Sequence, residues 1–294
     1  MKILIAADGS ASSDSIFQEA ASRPWPTGTS FTVVTVVDPF FFSRVPHLLD
    51  EAKQKTAQAL AEQAKPLAVA RWPVKTDVIL DSPRHALPRV ARDLPADLLL
   101  LGSHGRGTVG RLLLGSTAQA VLRHAECSIE IVRRCSPGRN LADGMRVMIP
   151  TDGSEHAEFA LQTVAQRPWP SHTEFRIVAS PEYPVLIGEY PYYPPEQLSE
   201  LAQSSREHAV NSAAVGEKLL RDRGLKTSQE VIEPMESPAH AILAVAGTWH
   251  PDLIVMGSHG RRGFDRLILG SVSETIALYA TSSVEVVRRP VPVL

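Results

Sequence analysis

The chain repeats itself. Ile5-Ala6-Ala7-Asp8-Gly9-Ser10 returns as Ile149-Pro150-Thr151-Asp152-Gly153-Ser154, and Arg23-Pro24-Trp25-Pro26 returns as Arg167-Pro168-Trp169-Pro170, both at an offset of 144 residues. Ser82-Pro83-Arg84-His85-Ala86 matches Ser237-Pro238-Ala239-His240-Ala241, and Gly102-Ser103-His104-Gly105-Arg106 matches Gly257-Ser258-His259-Gly260-Arg261, both at an offset of 155. Four blocks in one order mark a tandem duplication, with an eleven-residue insertion in the second copy between about Val178 and Ser237. A length of 294 residues agrees with two domains at about 150 residues each. The expected domains are 1–135 and 145–294, joined by a turn-rich linker over 136–144 that has no apolar periodicity.

Composition narrows the class. Thirty Lys and Arg against 32 Asp and Glu give a net charge of −2, which speaks against a nucleic-acid binder. The two cysteines, Cys127 and Cys135, build neither a disulfide framework nor a CxxC pair. The apolar run at the start is too short for a signal peptide, and no stretch approaches the roughly eighteen apolar residues of a membrane span. The expectation is a cytoplasmic protein with no membrane partner.

Each copy alternates strand and helix signals. In the first, Ile3–Ala6 is a short buried-strand run, followed by Ser and Asp residues that offer N-caps to a helix ending before Pro24. Phe31–Val37 is β-branched and apolar, as suits a buried parallel strand. Asp50–Ala64 has the composition of a helix, and Val74–Leu80 reads as a strand. Ser82-Pro83 starts another helix with an N-cap and a first-turn proline. A strand over Asp97–Leu101, a helix over Ser116–His124 and a strand over Ser128–Val132 complete the unit. The pattern predicts an α/β fold of two five-stranded parallel sheets with right-handed crossovers.

The chemistry lies after the fourth strand. Gly102 and Gly105 are separated by two residues, nine more precede Gly115-Ser116, and the second copy keeps that spacing in Gly257, Gly260 and Gly270-Ser271. Glycine lets a ligand approach the main chain, and a Gly-Ser pair opening a helix aims free N–H groups and the positive end of the dipole at an anion. The hydroxyls of Ser116 and Thr117, or of Ser271 and Ser273, add donors, and Arg106 and Arg261 stand where a cation pairs with a phosphate. These glycines could merely turn the chain, but identical spacing in both copies favours an anion site.

With these motifs the chain resembles the universal stress proteins of tandem type, in their ATP-binding branch, over nearly its whole length. The resemblance rests on the strand ending in Asp8-Gly9-Ser10, its copy Asp152-Gly153-Ser154, and Gly-x2-Gly-x9-Gly-Ser in both halves. It implies two Rossmann-like domains of sheet order 3-2-1-4-5, with ATP between the first and fourth strands and magnesium held only through the phosphates. By that analogy Asp8 and Asp152 meet the adenosine, with Ala7 or Thr151 beside them. Val36 lines the adenine pocket, and the loops containing His104 and His259 hold ribose and phosphates. In the second half Ser180 aligns with Val36. Family members commonly pair through their last strand, so Ser128–Val132 and Val284–Val287 are expected to meet and form a pseudo-dimer within one chain. A further dimer of chains stays open.

Other signals weigh less. Gly105-Arg106-Gly107-Thr108-Val109-Gly110 formally matches GxGxxG with Glu130 twenty residues on, but the second copy breaks the match, and it follows the fourth strand where a dinucleotide fingerprint follows the first. There is no GxxxxGK[ST] and no GxSxG. His104 and His259 are read first as structural, hydrogen-bonded to the loop backbone; His85 and His240 as structural in a first helical turn. Phe40-Phe41-Phe42, and Tyr183, Tyr190, Tyr192 and Tyr193 in the insertion, are expected to pack on their own domain in preference to forming a lid. Metal-ligand spacing is absent.

The function expected is an ATP-binding stress-response or signalling module with slow hydrolysis at most, because no repeated carboxylate pair or second basic residue stands beside the loop. The rival is an adenine-nucleotide-processing enzyme, an ATP pyrophosphatase or adenylating type. That chemistry needs a paired-glycine loop after the first strand, and none follows Asp8-Gly9-Ser10.

Overall fold

The computed structural model describes residues 1–104, 114–133, 140–182, 195–233, 235, 237–261 and 269–289. In the first half β1 (Lys2–Ala6), α1 (Ala11–Ser22), β2 (Ser30–Val37), α2 (Leu49–Gln63), α3 (Lys65–Val69) and β3 (Val74–Leu80) are followed by α4 (Pro83–Asp93), β4 (Leu98–Gly102), α5 (Ser116–His124) and β5 (Ser128–Val132). The second half repeats this as β6 (Arg146–Pro150), α6 (Glu155–Gln166), β7 (Glu174–Ala179), α7 (Pro195–Arg221) and β8 (Lys226–Val231). It ends with α8 (Pro238–Trp249), β9 (Leu253–Gly257), α9 (Ser271–Tyr279) and β10 (Ser283–Val287).

Among the described residues ten strands form one sheet in the order β3-β2-β1-β4-β5-β10-β9-β6-β7-β8. Within each half neighbours run parallel in the order 3-2-1-4-5, as buried apolar strands linked by helices require. The halves join where β5 and β10 pair antiparallel, with Ile131 opposite Val284, Glu130 opposite Glu285 and Ile129 opposite Val286. Each strand thereby covers an edge the other would expose.

Strand alternation sends Ile129, Ile131, Val284 and Val286 into one apolar layer under α4, α5, α8 and α9, which runs unbroken across the seam. The opposite face carries two separate cores, one under α1, α2 and α3 around Phe17, Phe31 and Leu67, the other under α6 and α7 around Leu161, Phe175 and Leu220. Between these two cores, on the same face, Glu130 and Glu285 are fully buried. Arg23 Nη1 reaches Glu130 at 2.7 and 2.9 Å, and Arg167 holds Glu285 through two contacts of 2.6 and 2.7 Å. Arg23 and Arg167 are the C-cap residues of α1 and α6. The repeated Arg-Pro-Trp-Pro block is thus a seam element, a role its sequence did not reveal.

Two further arginines cross the seam in exchange. Arg133, after β5, donates to the carbonyls of Ala277 and Ser282, and Arg288, after β10, donates to the carbonyl of Leu122. Ala277 and Leu122 lie in the last turns of α9 and α5, so each guanidinium supplies a donor and a cation to the negative end of the other half's helix. Burial pushes the Arg133 guanidinium down to about 10 and lowers that of Arg288.

Several expectations are corrected. Phe40 and Phe41 sit in a 3-10 turn, Pro39–Phe42, and are 76% and 79% exposed, so they do not pack on their own helices. Ser82 occupies the N-cap of α4 without a side-chain cap, whereas its counterpart Ser237 accepts from the His240 N–H. Likewise Ser154 caps α6 and Ser10 leaves α1 without a side-chain cap. Helix α3 was not expected, and in place of α2 and α3 the second half has a 27-residue α7. Tyr183, Tyr190, Tyr192, Tyr193 and Cys135 lie outside the described residues, as do residues 136–139 of the linker. Among the described residues no helix is long and apolar enough to cross a membrane.

Candidate functional site

Each half carries a cavity at the carboxyl ends of its first and fourth strands, where the strand order reverses and α/β sheets place ligands. The first, about 400 Å³, is bounded by Ala7, Asp8 and Val36 on one side and by Gly102, His104, Gly115, Ser116 and Thr117 on the other. The second, about 500 Å³, is bounded by Thr151, Asp152 and Ser180, by Gly257, His259, Gly260 and Arg261, and by Gly270, Ser271 and Ser273. The sequence candidates therefore converge on two cavities. Gly105 and Arg106 lie outside the described residues.

The apolar floors are alike: Leu87 and Leu101 in the first cavity, Ile242 and Met256 in the second. Ala7 N donates to the Val34 carbonyl and Thr151 N to that of Val178, which puts Val36, near the end of β2, and Ser180, just after β7, at equivalent places.

The glycines set the approach. Gly115 and Gly270 are N-caps of α5 and α9 in extended conformation and provide no side-chain cap. The first-turn N–H groups of both helices have no acceptor within the helix. These turns line the cavities. Gly115 N donates to the Ser103 carbonyl at 2.8 Å and Gly270 N to that of Ser258 at 2.9 Å, folding each loop back on its strand. A Cβ at Gly257 would lie 2.6 Å from the carbonyl carbon of His156, so β9 touches the start of α6 without room for a side chain.

Two cavity-lining histidines each bury an unmatched nitrogen. His259 is only 7% exposed, its Nδ1 lies 3.0 Å from Ser258 Oγ, and its Nε2 is buried with no hydrogen-bond partner. His104 repeats this with Ser103 Oγ at 3.0 Å and a buried, unpartnered Nε2. Each ring is held by the preceding serine hydroxyl, not by loop backbone as expected. A buried polar nitrogen left unpaired costs roughly 1–3 kcal/mol.

The aspartates are fixed differently. Asp8 Oδ1 accepts from Ser10 N at 2.9 Å and from Ser13 Oγ at 2.8 Å. Asp152 Oδ1 accepts from Ser154 N at 3.0 Å, while its Oδ2 accepts from Arg261 N at 3.0 Å, across the cavity mouth. A Cβ at Gly260 would come 2.7 Å from that Oδ2. His208 of α7 holds the Asp152 carbonyl through Nε2 at 2.8 Å, so that nitrogen carries the proton.

Charge is placed differently from the expectation. The Arg261 guanidinium lies 3.2 Å from the Glu182 carboxylate on the opposite wall. The Ser273 hydroxyl donates to the Gly257 carbonyl at 2.8 Å and so is not a spare donor. In the first half Arg84 Nη2 donates to Ser116 Oγ at 2.8 Å, bringing to the start of α5 a cation that the sequence reading passed over. Its counterpart is Ala239, so only the Arg106/Arg261 pair had a repeat to reveal it. His156 and His208 were missed for the same reason: each is peculiar to the second half. Among the described residues no cluster of three or more His, Cys, Asp and Glu could hold a metal ion.

Comparison with known proteins agrees with this architecture. The family model described as "Universal stress protein family" matches residues 1–133 and 145–288. A universal stress protein of Mycolicibacterium smegmatis is 27% identical over 296 residues, covering 97% of this chain and 96% of the relative. One from Mycobacterium tuberculosis is 26% identical over 301 residues, with 98% and 97% covered. Among solved structures, a universal stress protein from Archaeoglobus fulgidus superposes with a TM-score of 0.68 over 98% of both chains at 20% identity, a likeness of fold. The chain belongs to the universal stress protein family and carries two of its domains in tandem.

Proposed function

We propose that both cavities bind adenine nucleotide, ATP in particular, and that the chain serves as a nucleotide-dependent stress-response or signalling module. The observation that carries this reading is the doubled arrangement of an uncapped helix N-terminus, a glycine loop and a histidine around a cavity large enough for a small molecule. The polar rim suits phosphates, and the apolar floors of Val36, Leu87 and Leu101, or of Ile242 and Met256, suit a base. Magnesium would arrive on the phosphates, since the described walls offer it no protein cluster. We take each of the two units, 1–135 and 145–294, to hold one nucleotide.

Hydrolysis is proposed to be slow. Backbone N–H groups hold ground state and transition state about equally, which tightens affinity without raising turnover. Acceleration needs a positioned base for water and cations on the moving phosphate. The repeated candidate base is His104 with its twin His259, and the Arg261 cation is engaged by Glu182.

Calorimetry on Gly115→Val and Gly270→Val, singly and together, tests the site. A Cβ at Gly270 would stand 3.3 Å from the Ser258 carbonyl oxygen and His259 Cα, so valine crowds the loop where phosphates would rest. Each single variant should lose one of two binding events and the double variant both. Undiminished affinity in the double variant would contradict the assignment.

A further inference from the structure

The two cavities differ in one respect that bears on regulation. Behind His259, on the first turn of α6, stands His156, with ring centroids 5.0 Å apart and planes tilted by 47°. His156 Nδ1 is buried and unpartnered, as is His259 Nε2. The first half has no such pair, because the residue aligned with His156 is Ser12, while His104 corresponds to His259.

We propose that the second cavity is a proton-linked anion site, in which the His156–His259 pair takes up a proton when a polyphosphate settles on the first turn of α9. The inference rests on the nucleotide reading above and adds to it a difference between the halves. The second half would tighten its hold on ATP in mild acid, and the first half would not.

The surroundings support a His156 imidazole that is neutral when the cavity is free. Burial first, then the neighbouring His259 and the Arg289 guanidinium, lower the His156 imidazole below its ordinary value. The acidic groups facing the pair are already engaged. Glu155, beside His156 on α6, pairs with Arg289 at 2.6 Å. Asp152, in the β6–α6 turn, spends Oδ1 on Ser154 N and Oδ2 on Arg261 N. From the far wall Glu182 pairs with the Arg261 guanidinium, and from α7 His208 donates to the Asp152 carbonyl. No described carboxylate in this set is therefore free to hold the imidazolium. A phosphate on Gly270-Ser271, in the cavity that His259 lines, would supply the missing negative charge. Bound anion raises the affinity of the pair for a proton, so by linkage a proton raises its affinity for the anion, and the gain fades as pH rises past the imidazole range.

The test is calorimetry of ATP binding to the full chain at pH 6.0 and 7.5, each in two buffers of different ionisation enthalpy. Wild type should show uptake of part of a proton at one of two sites, with that site about three- to tenfold tighter at the lower pH, one proton being worth at most tenfold per pH unit. His156→Asn and His156→Gln should still bind two ATP with the uptake gone, and the first site serves as the reference for the ligand's own titration. Two ATP bound with no buffer dependence in wild type, or uptake unchanged in both variants, would overturn the histidine inference and leave the nucleotide reading standing. No ATP bound at either site, at either pH, would overturn the nucleotide reading and this inference together.

Discussion

Glu130 and Glu285 face one another across the antiparallel pairing of β5 and β10, both fully buried, each clasped by an arginine from the end of a helix in its own half. Two like charges opposed in a strand pair repel unless each is neutralised in place. The geometry achieves this with Arg23 and Arg167, and Arg23 also stacks over Trp25 with Cζ 4.7 Å from the ring centroid. The single sheet depends on that neutralisation.

Removing one partner should therefore cost far more than removing the pair. Arg167→Met leaves Glu285 buried without its cation and is expected to lose about 3–5 kcal/mol, whereas Arg167→Met with Glu285→Leu should recover most of it. Guanidinium denaturation of the two variants against wild type measures the difference. Equal losses in both would show that the ion pair does not hold the seam.

A third carboxylate complicates the seam. Glu19 Oε1 lies 3.3 Å from Arg23, and its Oε2 accepts from Ser283 Oγ of the other half. Burial, then the Glu130 charge, raise its carboxyl well above the ordinary value of 4.5. A raised carboxyl binds its proton more tightly in the folded chain. Its contribution is thus full below 4.5 and drains away as pH rises through the folded value. Glu19→Gln, which keeps the neutral form at every pH, should gain stability relative to wild type between pH 5 and pH 8. A pH-independent difference between the two chains in denaturant titrations would refute this.

Much of the fold was legible because apolar runs and repeated blocks depend on local chemistry. Val74–Leu80, Ser116–His124 and Ser128–Val132 match their predicted ranges, and the glycine spacing led to both cavities. What escaped depends on distant partners. Arg23 and Arg167 were visible as repeats, but nothing local ties them to glutamates more than a hundred residues away. Arg84 beside Ser116 is a single-copy contact, because Ala239 stands in its place in the second half, so self-comparison could not find it. Phe40 and Phe41 were misjudged because aromatic character predicts burial in general and says nothing of a 3-10 turn that projects both rings outward.

The close approach of β9 to α6 gives a paired prediction. Gly257→Ala must push a methyl into the His156 backbone, at 2.6 Å from its carbonyl carbon, and should cost about 1–3 kcal/mol. Gly247→Ala, inside α8 with nothing within 4 Å of the added Cβ, should stabilise by about 0.5–1 kcal/mol through helix propensity. Thermal melts of the two variants should move in opposite directions, and a parallel shift would contradict the packing.

Turnover offers a functional check. Steady-state phosphate release from ATP should run far below the typical enzyme median of ~10 per second. A rate near that median, abolished by His104→Ala with His259→Ala, would make the chain an enzyme and displace the signalling reading.

The central claim, two nucleotide sites in one chain, is tested most directly by the stoichiometry of ATP bound to the wild-type protein at saturation, measured by equilibrium dialysis. The account predicts close to two ATP per chain, competed by ADP. Saturation with no ATP bound, or binding that survives unchanged in the Gly115→Val/Gly270→Val chain, would contradict it.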